Sequence, residues 1–271
     1  MSRIPRWIAL QLIYGEALDA IERLFTSRGY RFMPVKGAYL IKSGLACSIA
    51  DRRMRDIDLL VPEEQFEEIC VWFTTLDGVE PQPGYWDFER PFLYRHAEYQ
   101  VYVELHRLVN TPARFLLPNR DLFCRAVPKS ESCVFPDPVD VLLIHICHKL
   151  LHVIDGFELQ FYREIELFAQ QYGFSWPEFW IRAERTGVMA FIWLVVQKSN
   201  TLLGTAFPLP DVPSWYAAIL ARLNLFMECR WTVGRRLFFE VPLVRNVLGL
   251  LRYKVTHLEI KQNVGFPEGH G

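Results

Sequence analysis

The sequence lacks the features that would make it disulfide-stapled, membrane-spanning or repetitive. Its six cysteines, at positions 47, 70, 124, 133, 147 and 229, include no CxxC spacing, and most stand in apolar surroundings. That reads as reduced, buried thiols in a cytosolic protein, not as a disulfide framework. The longest strongly apolar run, Val188 to Val196, is far too short to cross a bilayer. Arg3 and Arg6 precede an apolar stretch, but Gln11 and Glu16 interrupt it at helical spacing, so an amphipathic helix is expected there and no signal peptide. No charge of one sign dominates. A net charge of −1 argues against a chain that coats nucleic acid, which leaves only local basic patches for anionic partners. Internal repeats and low-complexity tracts are missing as well. With 51% apolar and 23% charged residues over 271 positions, the chain is ordinary globular material, enough for one large or two modest domains.

The pattern divides near residue 115. Before it, helix and strand signals alternate. A helical pattern over 5–28 ends near Gly29; "RFMPVKGAYL" then gives a short strand, a Lys-Gly turn and a helix beginning near Ala38. "DIDLLV" is the next strand, stopped by Pro62, and Pro62-Glu63-Glu64 opens another helix with acids in its first turn. "DGVEPQPGYWDFERP" reads as a loop, and Phe92–His96 with Tyr99–Leu108 reads as a hairpin. After residue 115 strand signals vanish. "PDPVDVLLIHICHKLLHVID" is a strong helix, and helical patterns run on to about residue 255. The expected class is α+β: a small mixed β-sheet core with helices over 1–115, an all-helical domain over 116–262, and a frayed tail over 263–271.

Acids appear where strands should be apolar. In "DRRMRDIDLLV" Asp56 and Asp58 stand at the head of a buried-type strand. Alternation puts both on one side, roughly 6.6 Å apart at Cα. Two carboxylates held this way repel unless protonated or neutralised, and a divalent cation is the usual neutraliser. "VYVELH" repeats the anomaly, with Tyr102, Glu104 and His106 on one face and Val101, Val103 and Leu105 on the other. If both strands share a sheet, Asp56, Asp58 and Glu104 converge as a ligand set for one or two Mg²⁺ (or Mn²⁺) ions that would clamp a triphosphate. The metal-free chain is then expected to carry like-charge strain. Lys36-Gly37 lies in a strand-to-helix turn, where glycine permits close backbone approach and a helix N-terminus offers free N–H groups to phosphate.

The order strand-Gly-helix, Asp-x-Asp, then a later strand acid resembles the DNA polymerase β-like nucleotidyltransferase superfamily. More narrowly, "VKGAYL…R…RDIDLLV…VELH…H…H" resembles the uncharacterised nucleotidyltransferase family, whose members often lie in natural-product biosynthetic clusters. The resemblance covers roughly residues 1–205. It implies that Asp56 and Asp58 are the metal pair and Glu104 the third carboxylate, which helps activate the attacking hydroxyl. It further implies that Gly37 is the glycine of the phosphate-holding turn. The superfamily normally follows that glycine with glycine or serine. Here Ala38 follows, so its contact with phosphate is limited to the backbone.

The implied activity is Mg²⁺-dependent transfer of a nucleoside monophosphate from an NTP to an acceptor hydroxyl, releasing pyrophosphate. A small molecule or peptide is the favoured acceptor; nucleic acid is less favoured, and no membrane is implied. Lys36 and Arg55 are candidates for phosphate contact, the latter because a triphosphate beside two aspartates needs counter-charge; Arg52 shares that argument. His106 shares the Glu104 face, where a structural histidine is an equal reading. His145, His148 and His152 fall on one face of a helix at i, i+3 and i+7. One helix cannot complete a zinc site, so the choice there is between a structural role and nucleotide or acceptor contact. The resemblance favours the latter for His145 and His148. The basic stretch 221–254, with Arg235 and Arg236, is a solvated face or an anion-binding one. Two other readings stand beside the enzyme of small molecules: a toxin- or antitoxin-type transferase acting on RNA or protein, and a nucleotide-binding regulator without turnover. Three retained, mutually repelling acids argue against the last.

Overall fold

The computed structural model describes residues 6–48, 55–83, 88–109, 115–151 and 159–211. Helix α1 (Arg6–Arg28) leads into β1 (Met33–Pro34) and the short helix α2 (Lys36–Lys42). Strand β2 (Asp56–Leu60), helix α3 (Phe66–Thr74) and strands β3 (Val79–Pro81), β4 (Glu89–His96) and β5 (Tyr99–His106) follow. Then come α4 (Asn119–Arg125), β6 (Val127–Pro128), β7 (Val134–Phe135), α5 (Pro138–Leu151), α6 (Leu159–Ala169), α7 (Trp176–Arg185) and α8 (Met189–Leu203). The fold is mixed α/β, with a five-stranded mixed sheet in the order β1-β2-β5-β4-β3.

The one parallel pairing among the described strands, β2 with β5, sits at the centre of that sheet. Parallel neighbours need a long crossover, and α3 with the β3–β4 hairpin supplies it. Alternation along both strands decides which face is dry. Ile57, Leu59, Val103 and Leu105 are fully buried in one cluster with Leu18, Ile21 and Phe25 of α1 and Phe66, Ile69 and Phe73 of α3. The opposite face carries the acids. Leu60, at the far end of β2, packs into a second cluster built from β1, α2, α4, β7 and helices α5–α8. Asp58 therefore lies between two apolar regions.

Local differences from the sequence expectation have plain causes. The segment read as a loop contains β3, an edge strand ending in Pro81; proline is tolerated at an edge, where no partner needs its N–H. Strand β4 starts at Glu89, three residues earlier than the apolar alternation suggested. Strand structure also recurs after residue 115: β6 pairs with β7, and Phe32 bridges to Cys133 beside β1. Two-residue strands are too short to show a period of two. The helix expected at Pro62 begins with a 3₁₀ turn, Glu63–Gln65, before α3. Arg52, His152, the basic stretch 221–254 and the tail 263–271 lie outside the described residues. Cys70, Cys124, Cys133 and Cys147 are free thiols, all buried except Cys124. Burial pushes the Cys70 and Cys133 thiols up to about 12, which disfavours the reactive thiolate. Among the described residues no helix is long and apolar enough to cross a membrane.

Candidate active site

The register of β2 on β5 sets Asp58 opposite Glu104, Asp56 opposite Tyr102 and Leu60 opposite His106. Because facing residues on paired strands share a sheet face, Asp56, Asp58, Tyr102, Glu104 and His106 all project from the same side. Strand β4 adds to it: Glu89 faces His106 across the β4–β5 ladder. Asp58 and His106 are buried, and Asp56 and Glu104 are half-buried at the rim.

The turn before α2 completes the arrangement. The Val35 N–H donates to the Asp58 carbonyl (3.1 Å), which ties the turn to β2. The next residue, Lys36, has φ +52°, a left-handed conformation that costs a non-glycine residue about 1–2 kcal/mol. The twist sends its ammonium to Asp58, with Nζ 2.5 Å from Oδ1. His106 Nε2 meets the same oxygen at 3.0 Å and approaches Glu104 Oε2 at 3.4 Å. On the other side of the ring, His106 Nδ1 lies 3.8 Å from Glu89 Oε2.

Charges here are strongly coupled. Burial alone would raise Asp58, but the Lys36 ammonium and the His106 hydrogen bond outweigh it and hold the carboxyl below the usual range. Burial opposes the charge on Lys36, yet Asp58, then Glu104 and Asp56, keep its ammonium above its ordinary value. Burial and Lys36 likewise oppose protonation of His106, but hydrogen bonds to Asp58 and Glu104 lift it to about 8. Among the described residues Asp56 accepts no such hydrogen bond, and the charges of Lys36 and His106 oppose its rise only in part. Burial first, then Asp58 and Glu104, push it up to about 7. Burial also raises Glu89. The expected like-charge strain is thus redistributed: Asp58 is neutralised from within the chain, and Asp56 carries the repulsion.

Asp58, Glu104 and His106 offer ligand atoms that all lie within 4.8 Å of one another. Two carboxylate oxygens and an imidazole nitrogen at this spacing suit a divalent cation. Asp56, named with Asp58 and Glu104 in the sequence reading, stands one pleat away on the same face and is felt by both acids.

Gly37 and Ala38 are buried in the first turn of α2, whose N-cap, Val35, provides no side-chain cap to the first-turn N–H groups. The Ala38 methyl belongs to the core beneath the sheet, so any phosphate contact falls to its N–H. Arg55 is exposed just ahead of β2. His145 lies on α5, stacked on Phe161 with ring centroids 4.7 Å apart, and its Nδ1 is 3.6 Å from the buried Glu164. It also lines a small cavity together with Val35, Lys36 and Tyr39. His148 is half-buried one turn later on α5.

Two residues of the acidic face give little signal in the sequence. Glu89 hides in a segment that looks like a loop, and only its pairing with His106 reveals it. His106 was legible through the "VELH" alternation, but its contacts with two carboxylates were not.

The family model described as uncharacterised nucleotidyltransferase matches residues 9–204, and the chain belongs to that family. Its general chemistry is therefore transfer of a nucleoside monophosphate from a nucleoside triphosphate. Comparison with curated proteins and with solved structures returned no match.

Proposed function

We propose that the protein is a divalent-metal-dependent enzyme of the polymerase β-like type that transfers a nucleoside monophosphate to an acceptor hydroxyl. The favoured acceptor is a small molecule or peptide, as in natural-product biosynthesis. The observation that carries this reading is the Asp58–Glu104 pairing across parallel β2 and β5, with Asp56 on the same face and Lys36 at its edge. Asp56, Asp58 and Glu104 would hold Mg²⁺ or Mn²⁺, which supplies positive charge where triphosphate and acceptor meet. Glu104, at the rim, would take the acceptor's proton as the acceptor oxygen attacks the α-phosphorus. The bond to the β-phosphate breaks, and pyrophosphate leaves.

Lys36 would then exchange Asp58 for a phosphate oxygen, while the N–H groups of Gly37 and Ala38 and the exposed Arg55 meet the remaining phosphate charge. His145 and His148 line the helical side, from which nucleotide or acceptor would be contacted, and the helices after residue 115 would form the acceptor-binding part. The net charge of −1 supports a neutral or small acceptor over a nucleic acid.

The test is a thermal-shift series with Mg²⁺, Mn²⁺ and each of the four NTPs, followed by a pyrophosphate-release assay with extracted small molecules and peptides. A ligand that binds only the folded state raises Tm by mass action. A folded protein that shows no shift with any metal–NTP pair would end the proposal.

A further inference from the structure

His106 is a buried histidine on the acid-bearing face of the sheet. It is 3% exposed, and its ring stands between carboxylates from three strands. Nε2 is 3.0 Å from Asp58 Oδ1 and 3.4 Å from Glu104 Oε2. In an octahedral ion with metal–ligand bonds of about 2.1 Å, neighbouring ligands stand about 3.0 Å apart. The two distances thus match a pair of ligand edges, and all three donor atoms fall within 4.8 Å of one another. The far side of the ring supplies a second observation. Nδ1 is buried, makes no hydrogen bond among the described residues, and has the Glu89 carboxylate 3.8 Å away. A metal-bound histidine commonly donates its other N–H to a carboxylate, which fixes the tautomer and the ring plane. A histidine that merely braced Asp58 would need neither Glu104 nor Glu89.

We infer that His106 ligates a divalent cation through Nε2 together with Asp58 and Glu104, and that Glu89 is the positioning residue behind it. The inference rests on the metal-dependent reading above and sharpens it. One of the metal positions is a two-carboxylate, one-imidazole site and not an all-oxygen one. Imidazole suits Fe²⁺, Ni²⁺ and Zn²⁺ best; of the two oxygen-favouring ions, Mn²⁺ is a transition ion and accepts a nitrogen ligand more readily than Mg²⁺, which gives up its waters reluctantly. The site should therefore prefer Mn²⁺ to Mg²⁺, and substituting His106 should narrow that preference more than it weakens Mg²⁺ binding.

The experiment is pulsed electron paramagnetic resonance of Mn²⁺ added to the purified full-length protein, with no nucleotide present. A nitrogen ligand imprints ¹⁴N modulation on the manganese signal. Protein grown with ¹⁵N-histidine should lose that ¹⁴N pattern without any mutation, and His106→Gln should lose it while still binding Mn²⁺. Glu89→Gln should keep the modulation and bind Mn²⁺ about 10- to 100-fold more weakly. Bound Mn²⁺ without nitrogen modulation overturns His106 as a ligand and leaves the carboxylate site standing. Modulation that persists in His106→Gln does the same. If Mn²⁺ does not bind the folded wild type at all, this inference and the metal-dependent reading both fall.

Discussion

Lys36 Nζ sits 2.5 Å from Asp58 Oδ1, so the acid at the centre of the candidate site already carries a counter-charge supplied by the chain itself. The lysine reaches it from a left-handed backbone position, a strain that persists only where the surroundings impose it. In the metal-free state the ammonium does part of what a cation would do, and a bound metal must compete with it for Asp58.

Two outcomes follow from this pair. Asp58→Asn should lower the melting temperature of the metal-free protein, because Lys36 is left largely buried without its partner. Breaking a buried pair costs about 3 kcal/mol. This reverses what repulsion among three uncompensated acids alone would give. Lys36→Met should also destabilise the metal-free form, but should enlarge the Mn²⁺-dependent rise in Tm, since the internal competitor is gone. Calorimetric melting with and without Mn²⁺ reads both. A rise in metal-free Tm for Asp58→Asn would show that Lys36 does not neutralise it.

Asn119 holds the ends of β2 and β5 together. From the start of α4, buried Nδ2 donates to the carbonyls of Val61 (2.7 Å) and Arg107 (2.5 Å), just beyond β2 and β5 respectively. Substituting Asn119→Leu removes both donors and leaves two carbonyls to find other partners, at roughly 2–4 kcal/mol in total. Chemical denaturation should show that loss. Metal affinity should fall as well, because the Asp58–Glu104 spacing depends on this strand pair. Undiminished Mn²⁺ affinity in a folded Asn119→Leu protein would show that the clamp supports stability alone.

How much of this was legible in the sequence follows from range. Asp56, Asp58 and Glu104 showed themselves because they fill the other half of a period-two pattern in strands whose apolar half is of buried type, a purely local signal. Their register did not show. Parallel β2 and β5 are joined by a long crossover and no tight turn, so nothing local fixes Asp58 opposite Glu104. The Lys36–Asp58 pair spans 22 positions and depends on an unusual φ at a lysine, which no propensity foresees. Glu89 was hidden by neighbouring prolines, glycine and acids that imitate a loop. Leu60 shows the same limit in the core, since its strand neighbours pack into one cluster while it packs into the other.

Asp140 anchors the helical part. It is fully buried near the start of α5, where Arg125 grips it with two hydrogen bonds (2.8 and 3.1 Å) and Arg182 of α7 approaches to 3.0 Å. Burial raises its pKa, and the two guanidiniums oppose that rise. Asp140→Asn should destabilise by about 3 kcal/mol, since two arginines lose a shared anion. The double replacement Asp140→Leu with Arg125→Met should recover a large share of that loss, because Arg182 keeps Asp137 and Glu178 as partners. Equilibrium denaturation of the single and double variants decides the matter; additive losses would show that the ion pairs do not cooperate.

The last expectation concerns Asp56 in the metal-free protein. Burial, then Asp58 and Glu104, push its carboxyl up to about 7, against about 3.9 in an unfolded chain. The folded state therefore binds this proton more tightly than the unfolded one. By linkage, the stability it contributes is fully present below about pH 4 and is lost as pH rises through 7. In the presence of a chelator, Tm should accordingly fall between about pH 5 and 8 by more in wild type than in Asp56→Asn, which cannot ionise. Across that window Asp56→Asn should gain on wild type as pH increases. Adding Mn²⁺ at pH 8 should close the gap from the other side, because a bound cation relieves the repulsion only where the carboxylate is present. Parallel pH profiles for the two proteins in chelator would mean that Asp56 ionises as freely as in an unfolded chain, and that its acid neighbours do not act on it.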